Sequence, residues 1–502
     1  MPTHKSRGPR LGGVGVSGAI PFVSDRGSRV LAEAILYRVF KSIPRIISNS
    51  SFTTCSLLLN ELIPDFTMPG NPMPVWEWIL TMPSRRRKAL VRALRKLEER
   101  GEYNRNFEII KAFVKTEHLP YFKIVNGTIS SDDVEYVARL IQAPHDETHL
   151  VAGPYMKPLV SRLKGIWHAG NWIFYASVPP EKLDTWLARV QHASSYYWSD
   201  YSAFDATWSP QAWAMIESMY HTIYPGAPDE FWRVLQAWRK PRGKIHCRRD
   251  ATRLTYDGPV CMTSGRDDTA LANAILNGCV IACSFAAALA NKSVAELLPS
   301  DLRRASELIN IAVVGDDSLV ACSFDVEPFK AAIQVNIESF GLIVKAESST
   351  RLCDVTFLGM MPYPAAGKLH WGPTIGRRMY KAFWQADPVG NLPAWTKGVA
   401  EQLSQFRCVP LLSDCADRVL DLLARSKVTK AAVDENRVWS ARTSDTARWD
   451  DSTLEWISMR YEEHGMSPAL IRHDLEVIRG IQRLPAVIRL RSVEICLLMD
   501  EL

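Results

Sequence analysis

Cysteine is sparse and scattered in this 502-residue chain: ten residues lie between Cys55 and Cys496, with no C-x-x-C pair and no paired cluster. That excludes a zinc ribbon and a disulfide framework, and it points to isolated thiols in a reducing compartment. Cys279 and Cys283 share a helix face, which reads as core packing. Also missing is a run of about 18 consecutive apolar residues, the length a spanning helix requires. The longest candidate, Val280 to Ala290, is short and broken by Ser284, so no membrane span is expected. The opening MPTHKSRGPRLGG is basic, but no apolar stretch with a small-residue cleavage site follows it, so no secretion signal is expected either. The initial Met favours an independently translated product. There is no internal repeat, and no G-x-x-x-x-G-K-[ST] loop of the kind a helicase would carry.

What is present is ordinary globular composition, 47% hydrophobic and 23% charged, in a length that allows either three domains or one large enzyme whose parts interleave. The net charge of +6 hides an asymmetry. Met1 to Lys123 holds 20 Lys and Arg against 10 Asp and Glu, so the remainder is net acidic. The densest basic stretch, SRRRKALVRALRKLEER from Ser84 to Arg100, has helical character with a cap at Ser84 and a stop at Gly101, and its charge suits a polyanion. Gly13-x-Gly15-x-x-Gly18 matches dinucleotide-binding spacing, but a charged, Pro-containing segment precedes it where a buried strand is required; it reads as a flexible arm. His145-Asp-Glu-Thr-His149 lacks the Glu of the zinc-protease pattern and reads as a polar loop.

Three constellations carry chemistry. SYYWSDYSAFDAT holds Asp200 and Asp205 at the end of an aromatic strand; alone, two aspartates five apart are expected about once by chance in such a chain. NIAVVGDDSLVACSF runs an apolar strand into Gly315-Asp316-Asp317. Adjacent carboxylates at a turn raise each other's pKa unless a cation neutralises them, and Mg²⁺ is the natural partner because it binds through one or two carboxylates, waters and phosphates. Ser264-Gly265-x3-Thr269-x3-Asn273 is a glycine loop feeding an apolar helix, with Thr269 and Asn273 on one face. The remaining pattern is helical toward the C-terminus, as in Ser452–His464 closed by Gly465 and Pro468–Gln482, so the fold class is α+β.

In this order the three constellations resemble palm motifs A, B and C of the RNA-dependent RNA polymerases of positive-strand RNA viruses. Lys115-Thr116-Glu117 with Arg139-Leu140-Ile141 resembles motif F, Phe340 to Lys345 resembles motif D, and Phe357-Leu358-Gly359 resembles motif E. The matches run from about Lys111 to Pro362. The wording of Arg139 to Pro144 is most similar to tombusvirus-like and nodavirus-like replicases.

The resemblance implies a right-hand fold with an antiparallel palm sheet and a mostly helical thumb. Fingers would occupy residues 1–190 with an insertion at 211–257, the palm 191–210 and 258–370, and the thumb 371–502. It implies that Asp200 and Asp316, supported by Asp317, hold two Mg²⁺ ions, with Mn²⁺ as a substitute. Asp205 and Asn273, helped by Ser264, Gly265 and Thr269, would recognise the ribose 2′-hydroxyl. Lys115 and Arg139 would neutralise the triphosphate, and Lys345 would protonate the leaving pyrophosphate. Arg377, Arg378 and Lys381 are candidates for gripping a nucleic-acid backbone, and Thr67 to Gly70 is a candidate for motif G. RNA template and product and ribonucleoside triphosphates are the implied partners, together with a viral or host factor that recruits the chain to a membrane-associated complex in the host cytoplasm. A reverse transcriptase is disfavoured by Val314-Gly315, where that family usually has an aromatic residue, and by Asp205 with Asn273. A non-catalytic RNA-binding subunit is disfavoured because every implied metal ligand is present.

Overall fold

A computed structural model describes residues 9–17, 21–23, 27–40, 47–100, 103–116, 118–120, 123–125, 128–130, 138–247, 250–385, 390–432 and 447–500. Gly18, Gly101 and Glu117 of the motifs above lie outside these residues. Helix outweighs strand threefold, yet one sheet organises the centre, which makes the chain α+β. Its basic helix α1 spans Ser84–Arg100 as expected, and helix α2 spans Asp146–Ile166. The central elements then follow as β1 (Ile173–Tyr175), α3 (Pro180–Val190), β2 (Ser195–Tyr201), α4 (Thr269–Ala290), β3 (Ile309–Val314), β4 (Asp317–Cys322), α5 (Lys330–Glu338) and β5 (Val344–Ser349).

The central sheet has the order β5-β2-β4-β3-β1. Four strands pair antiparallel, as the resemblance implied, but β1 adds a parallel edge to β3. Side chains alternate between two cores, as the two-residue period of a strand requires. Tyr197, Ile311, Val313 and Val320 face the layer built on α4, while Tyr196, Ala312, Leu319 and Ala321 face Trp186 and Leu187 of α3. The long α4 is buried almost all round, which explains its largely apolar composition. By length and composition it qualifies as a membrane span, but 94% of its most apolar window is buried inside the protein.

A second sheet has the order Arg253–Asp257, Arg242–His246, Ile110–Val114, Leu140–Ala143. It brings segments more than a hundred residues apart in sequence into one layer. Beyond the central sheet, the hairpin Met360–Ala365 and Lys368–Pro373 leads into helices Leu392–Leu403, Leu412–Arg425, Asp451–Arg460, Pro468–Arg479 and Arg491–Asp500, which surround their own core.

Two local expectations are corrected. The glycine-rich N-terminal stretch is a strap rather than a flexible arm: Arg10–Leu11 pairs with Trp384–Gln385, and Val14–Val16 runs parallel to Ala486–Ile488. The glycines serve close approach, since a Cβ on Gly13 would meet the Phe383 ring at 2.6 Å. His145 to His149 is not a loop but the start of α2, with Asp146 and Glu147 in the first turn, where the helix dipole favours acidic side chains.

The strap yields a test. Val14 and Val16 are each 1% exposed against the C-terminal core. Val16→Ala is expected to cost about 2 kcal/mol in urea unfolding, and the amides of residues 14–16 to resist hydrogen exchange; a free arm would show neither.

Candidate active site

The candidate residues converge at one end of the central sheet. Strands β2 and β4 are joined in register up to Ser199 opposite Ser318, whose hydroxyls lie 2.5 Å apart. Asp200 and Asp317 are the next residues on their respective strands, and Asp316 sits in the β3–β4 turn beside Gly315, whose φ is +60°. On the other side of β2, Asp200 is paired with Lys345 of β5, and both side chains are exposed.

Crowding of like charge is visible in the acid strengths. Burial, then the charges of Asp316 and Asp200, pushes the Asp317 carboxyl up to about 7, against the opposing pull of Arg377 and Arg139. Burial and Asp200 likewise raise Asp316. Asp205 is pushed up to about 6 by burial, although the Asn273 hydrogen bond works the other way. Among the described residues no group of three or more His, Cys, Asp or Glu side chains is drawn together closely enough to hold a metal ion. The donor set nevertheless fits a hard divalent cation, which needs only one or two protein carboxylates beside water and phosphate oxygens.

Asn273 of α4 donates from Nδ2 to Asp205 Oδ1 at 3.0 Å. Its own Oδ1 is buried with no hydrogen-bond partner among the described residues. A buried acceptor left unpaired is costly, so this oxygen is suited to a hydroxyl donor arriving from outside.

The Ser264 loop is pinned against the second sheet. Ser264 Oγ donates to the Leu140 carbonyl and accepts from the Gln142 amide, each at 3.3 Å. Gly265 has φ +92°, and a Cβ there would press on the Gln142 carbonyl at 3.3 Å, so glycine is required twice over. The Thr269 hydroxyl donates to the Thr263 carbonyl at 3.0 Å and closes the same loop. Lys115 and Arg139 are brought side by side by the Lys115 amide donating to the Arg139 carbonyl at 2.8 Å. The Arg139 charge acts on Asp205, Asp316 and Asp317, so this segment faces the carboxylates.

A cavity of about 770 Å³ adjoins this loop. Arg86, Arg92, Lys96 and Arg100 of α1 wall one side, Lys111 lines it as well, and Gly265 and Asp267 reach it from the loop. His149 holds Asp267 through Nδ1 at 2.9 Å. The Thr67–Gly70 segment does not line this cavity; Arg162 anchors it by donating to the carbonyls of Phe66 and Met68.

Sequence reasoning missed two contributors, the Arg266–Asp268 pair and Asn277, and it read a third, Arg377, as a grip on a nucleic-acid backbone rather than as a neighbour of the carboxylates. Arg266 and Asp268 form a bidentate pair at 2.8 Å with no side-chain exposure, and the guanidinium stacks 4.3 Å from the centre of the Trp213 ring. Arg377 exerts its charge on Asp317 from the short helix Ile375–Met379. Asn277, four residues past Asn273, reaches the carboxylate turn. Of the two that were missed, only Asn277 had a sequence signal, as the third polar residue at four-residue spacing in an otherwise apolar helix.

Carboxylates under the pull of a guanidinium, beside a buried amide with a spare acceptor, bring together groups that suit a cation, an anion and a hydroxyl donor. Residues 139–373 match the family described as viral RNA-dependent RNA polymerase, and the matched span contains every site residue above except Lys115, Arg377 and the cavity wall. Those residues therefore form a viral RNA-dependent RNA polymerase domain, which indicates an RNA-directed RNA polymerase, a nucleotidyltransferase. No curated protein matches it.

The buried ion pair gives a quantitative test. Arg266→Ala strands the Asp268 charge and is expected to cost about 3–5 kcal/mol in urea unfolding, whereas Arg266→Met combined with Asp268→Leu is expected to cost less than the single change. A double variant as unstable as Arg266→Ala would show that desolvated charge is not the cause.

Proposed function

We propose that the chain performs template-directed, two-metal nucleotidyl transfer, extending an RNA 3′ end from ribonucleoside triphosphates for viral genome replication and transcription. The observation that carries this reading is the Asp205–Asn273 pair, with its one unpartnered buried acceptor beside the carboxylate cluster. An acceptor of that kind rewards a 2′-hydroxyl and is left unpaired by a deoxyribose, a difference that separates RNA synthesis from reverse transcription.

Asp200 and Asp316, with Asp317 in support, would hold two divalent ions, Mg²⁺ or Mn²⁺ in its stead. When bound, such ions supply Lewis-acid activation of the attacking 3′-hydroxyl and neutralise charge on the leaving pyrophosphate. Arg139 and Lys115 bind the triphosphate from the opposite side; the pull of Arg139 on three of the aspartates supports that role. Lys345, exposed and opposite Asp200 in register, is positioned to give a proton to the departing oxygen. Ser264, Gly265 and Thr269 shape the loop from which α4 presents Asn273.

In right-hand terms, residues 1–190 and 211–257 form the fingers, 191–210 and 258–370 the palm, and 371–502 the thumb. The basic wall of the large cavity supports binding of single-stranded RNA through its backbone. Recruitment by a viral or host partner to a membrane-associated complex in the host cytoplasm completes the proposal, and the wording of Arg139 to Pro144 supports a tombusvirus-like or nodavirus-like grouping.

The direct experiment is incorporation of labelled ribonucleotides on a single-stranded RNA template with Mg²⁺. Asp316→Ala is expected to abolish incorporation without unfolding the protein; a folded, RNA-binding native chain that stays inactive with Mg²⁺ and Mn²⁺, primed or unprimed, would favour a non-catalytic subunit. Asn273→Ala is expected to lower discrimination against deoxynucleotides by about tenfold or more, and unchanged discrimination would remove the ribose-reading role. RNA affinity is expected to fall with salt, and Arg92→Ala with Lys96→Ala to flatten the log–log salt slope by about 1.4, at about 0.7 for each single-strand phosphate that the variant leaves without a cationic partner. A slope unaltered by both changes would take α1 out of the RNA path.

A further inference from the structure

Asn277 is fully buried on α4, one turn beyond Asn273, and it bonds to both elements that carry the paired carboxylates. Its Oδ1 accepts from the Tyr201 hydroxyl at 2.9 Å. Its Nδ2 donates to the Gly315 carbonyl at 3.1 Å and to the Asp317 carbonyl at 3.3 Å. The amide orientation is dictated by these partners, because neither carbonyl can donate and the flipped amide would set oxygen against oxygen.

Each of the three bonds lies one residue from a carboxylate. Tyr201 follows Asp200 at the end of β2, and Gly315 and Asp317 bracket Asp316 in the turn. On the glycine side the turn is open: among the described residues, nothing beyond the two adjoining ones lies within 4 Å of where a Cβ on Gly315 would stand. The Tyr201 ring is itself fixed against Phe204, with ring centres 5.0 Å apart. We infer that Asn277 is a positioning residue that sets the separation of Asp200 from Asp316, holding two mutually repelling carboxylates at a spacing a divalent cation can bridge. The inference rests on the reading of those aspartates as the metal-holding pair.

No simple replacement reproduces the tie. Leucine of similar size would leave the buried Tyr201 hydroxyl without its acceptor and remove the donor shared by the part-buried Gly315 and Asp317 carbonyls. Aspartate would keep the acceptor for Tyr201 but turn an oxygen toward two carbonyl oxygens, which drives the turn away from α4.

The test compares native chain, Asn277→Asp, Tyr201→Phe and Asp316→Ala. Hydrogen exchange over residues 309–322 reports the turn without any turnover, and steady-state incorporation reports kcat, the ribonucleotide KM and the half-saturating Mg²⁺ concentration. In Asn277→Asp the turn is expected to exchange faster, kcat to fall and half-saturating Mg²⁺ to rise by about tenfold to a hundredfold, the range for residues that orient metal ligands. The ribonucleotide KM and RNA affinity are expected to stay at native values, a split that general loosening of the fold would not produce. Tyr201→Phe is expected to move the same quantities in the same direction by less.

A folded Asn277→Asp with native turn exchange and native Mg²⁺ dependence overturns the inference. Should that variant fail to fold, Tyr201→Phe decides, and native Mg²⁺ dependence there overturns it equally. Asp316→Ala separates the two levels: full activity in it removes the catalytic reading itself, whereas its inactivity beside a native-like Asn277→Asp removes only the role of Asn277.

Discussion

Four carboxylates meet at one end of a five-stranded sheet, and most of the surrounding architecture answers the repulsion this creates. Asp200 and Asp205 sit on one chain segment and Asp316 and Asp317 on another, and burial together with neighbouring charge raises Asp205, Asp316 and Asp317 above the solvated norm. Left to relax, such a cluster would spread or protonate. It is held instead by groups that cannot move much: a strand register locked at Ser199 and Ser318, a buried amide on Asp205, and a second buried amide on the turn. Arg377 and Arg139 pull the Asp317 carboxyl down without cancelling the rise that burial and its neighbours impose.

The parts of this arrangement legible in the sequence are those encoded by contiguous pattern. Apolar runs ending in acidic turns identified β2, β3 and β4, because a two-residue period and a turn glycine are local properties. Helix α1 followed from its charge pattern, and Asp200, Asp205, Asn273 and the Gly315–Asp317 turn were singled out by the resemblance of their ordered motifs, not by spacing alone. What stayed hidden depends on partners distant in sequence. The glycines at the N-terminus mean flexibility when nothing is near and tight packing when Phe383 is, and only the fold reveals which applies. The parallel edge of β1 on β3 joins segments separated by α4 and much else, with no mark in either strand. Arg266-Asp-Asp268 looks like a solvated charge run, yet Trp213 and Trp238 bury it.

Charge is partitioned by depth as well as by sequence. The basic excess of the first quarter of the chain is carried largely on α1, where it lines a wide cavity and pairs sparingly, as Arg86 does with Asp146. The acidic excess is drawn toward the sheet end. The basic wall of α1 therefore offers a polyanion an attractive surface set apart from the four carboxylates, which do not line that cavity. Such an arrangement favours backbone binding over base reading, consistent with a template whose sequence is read by pairing.

The helix α4 shows how composition alone can mislead about location. Its length and hydropathy would suit a bilayer, and in water they suit only a fully enclosed core. The difference lies in Thr269, Asn273 and Asn277, spaced four apart along one face. In hydrocarbon that polar stripe would have no partners and would be a steep cost. Here it meets the Thr263 carbonyl, the Asp205 carboxylate and the Gly315–Asp317 turn in succession. The apolar remainder of the helix then has a purpose beyond burial: it fixes the axis from which the three polar groups are aimed, so the rigidity of the core is transmitted to the place where like charges must be kept at a set distance.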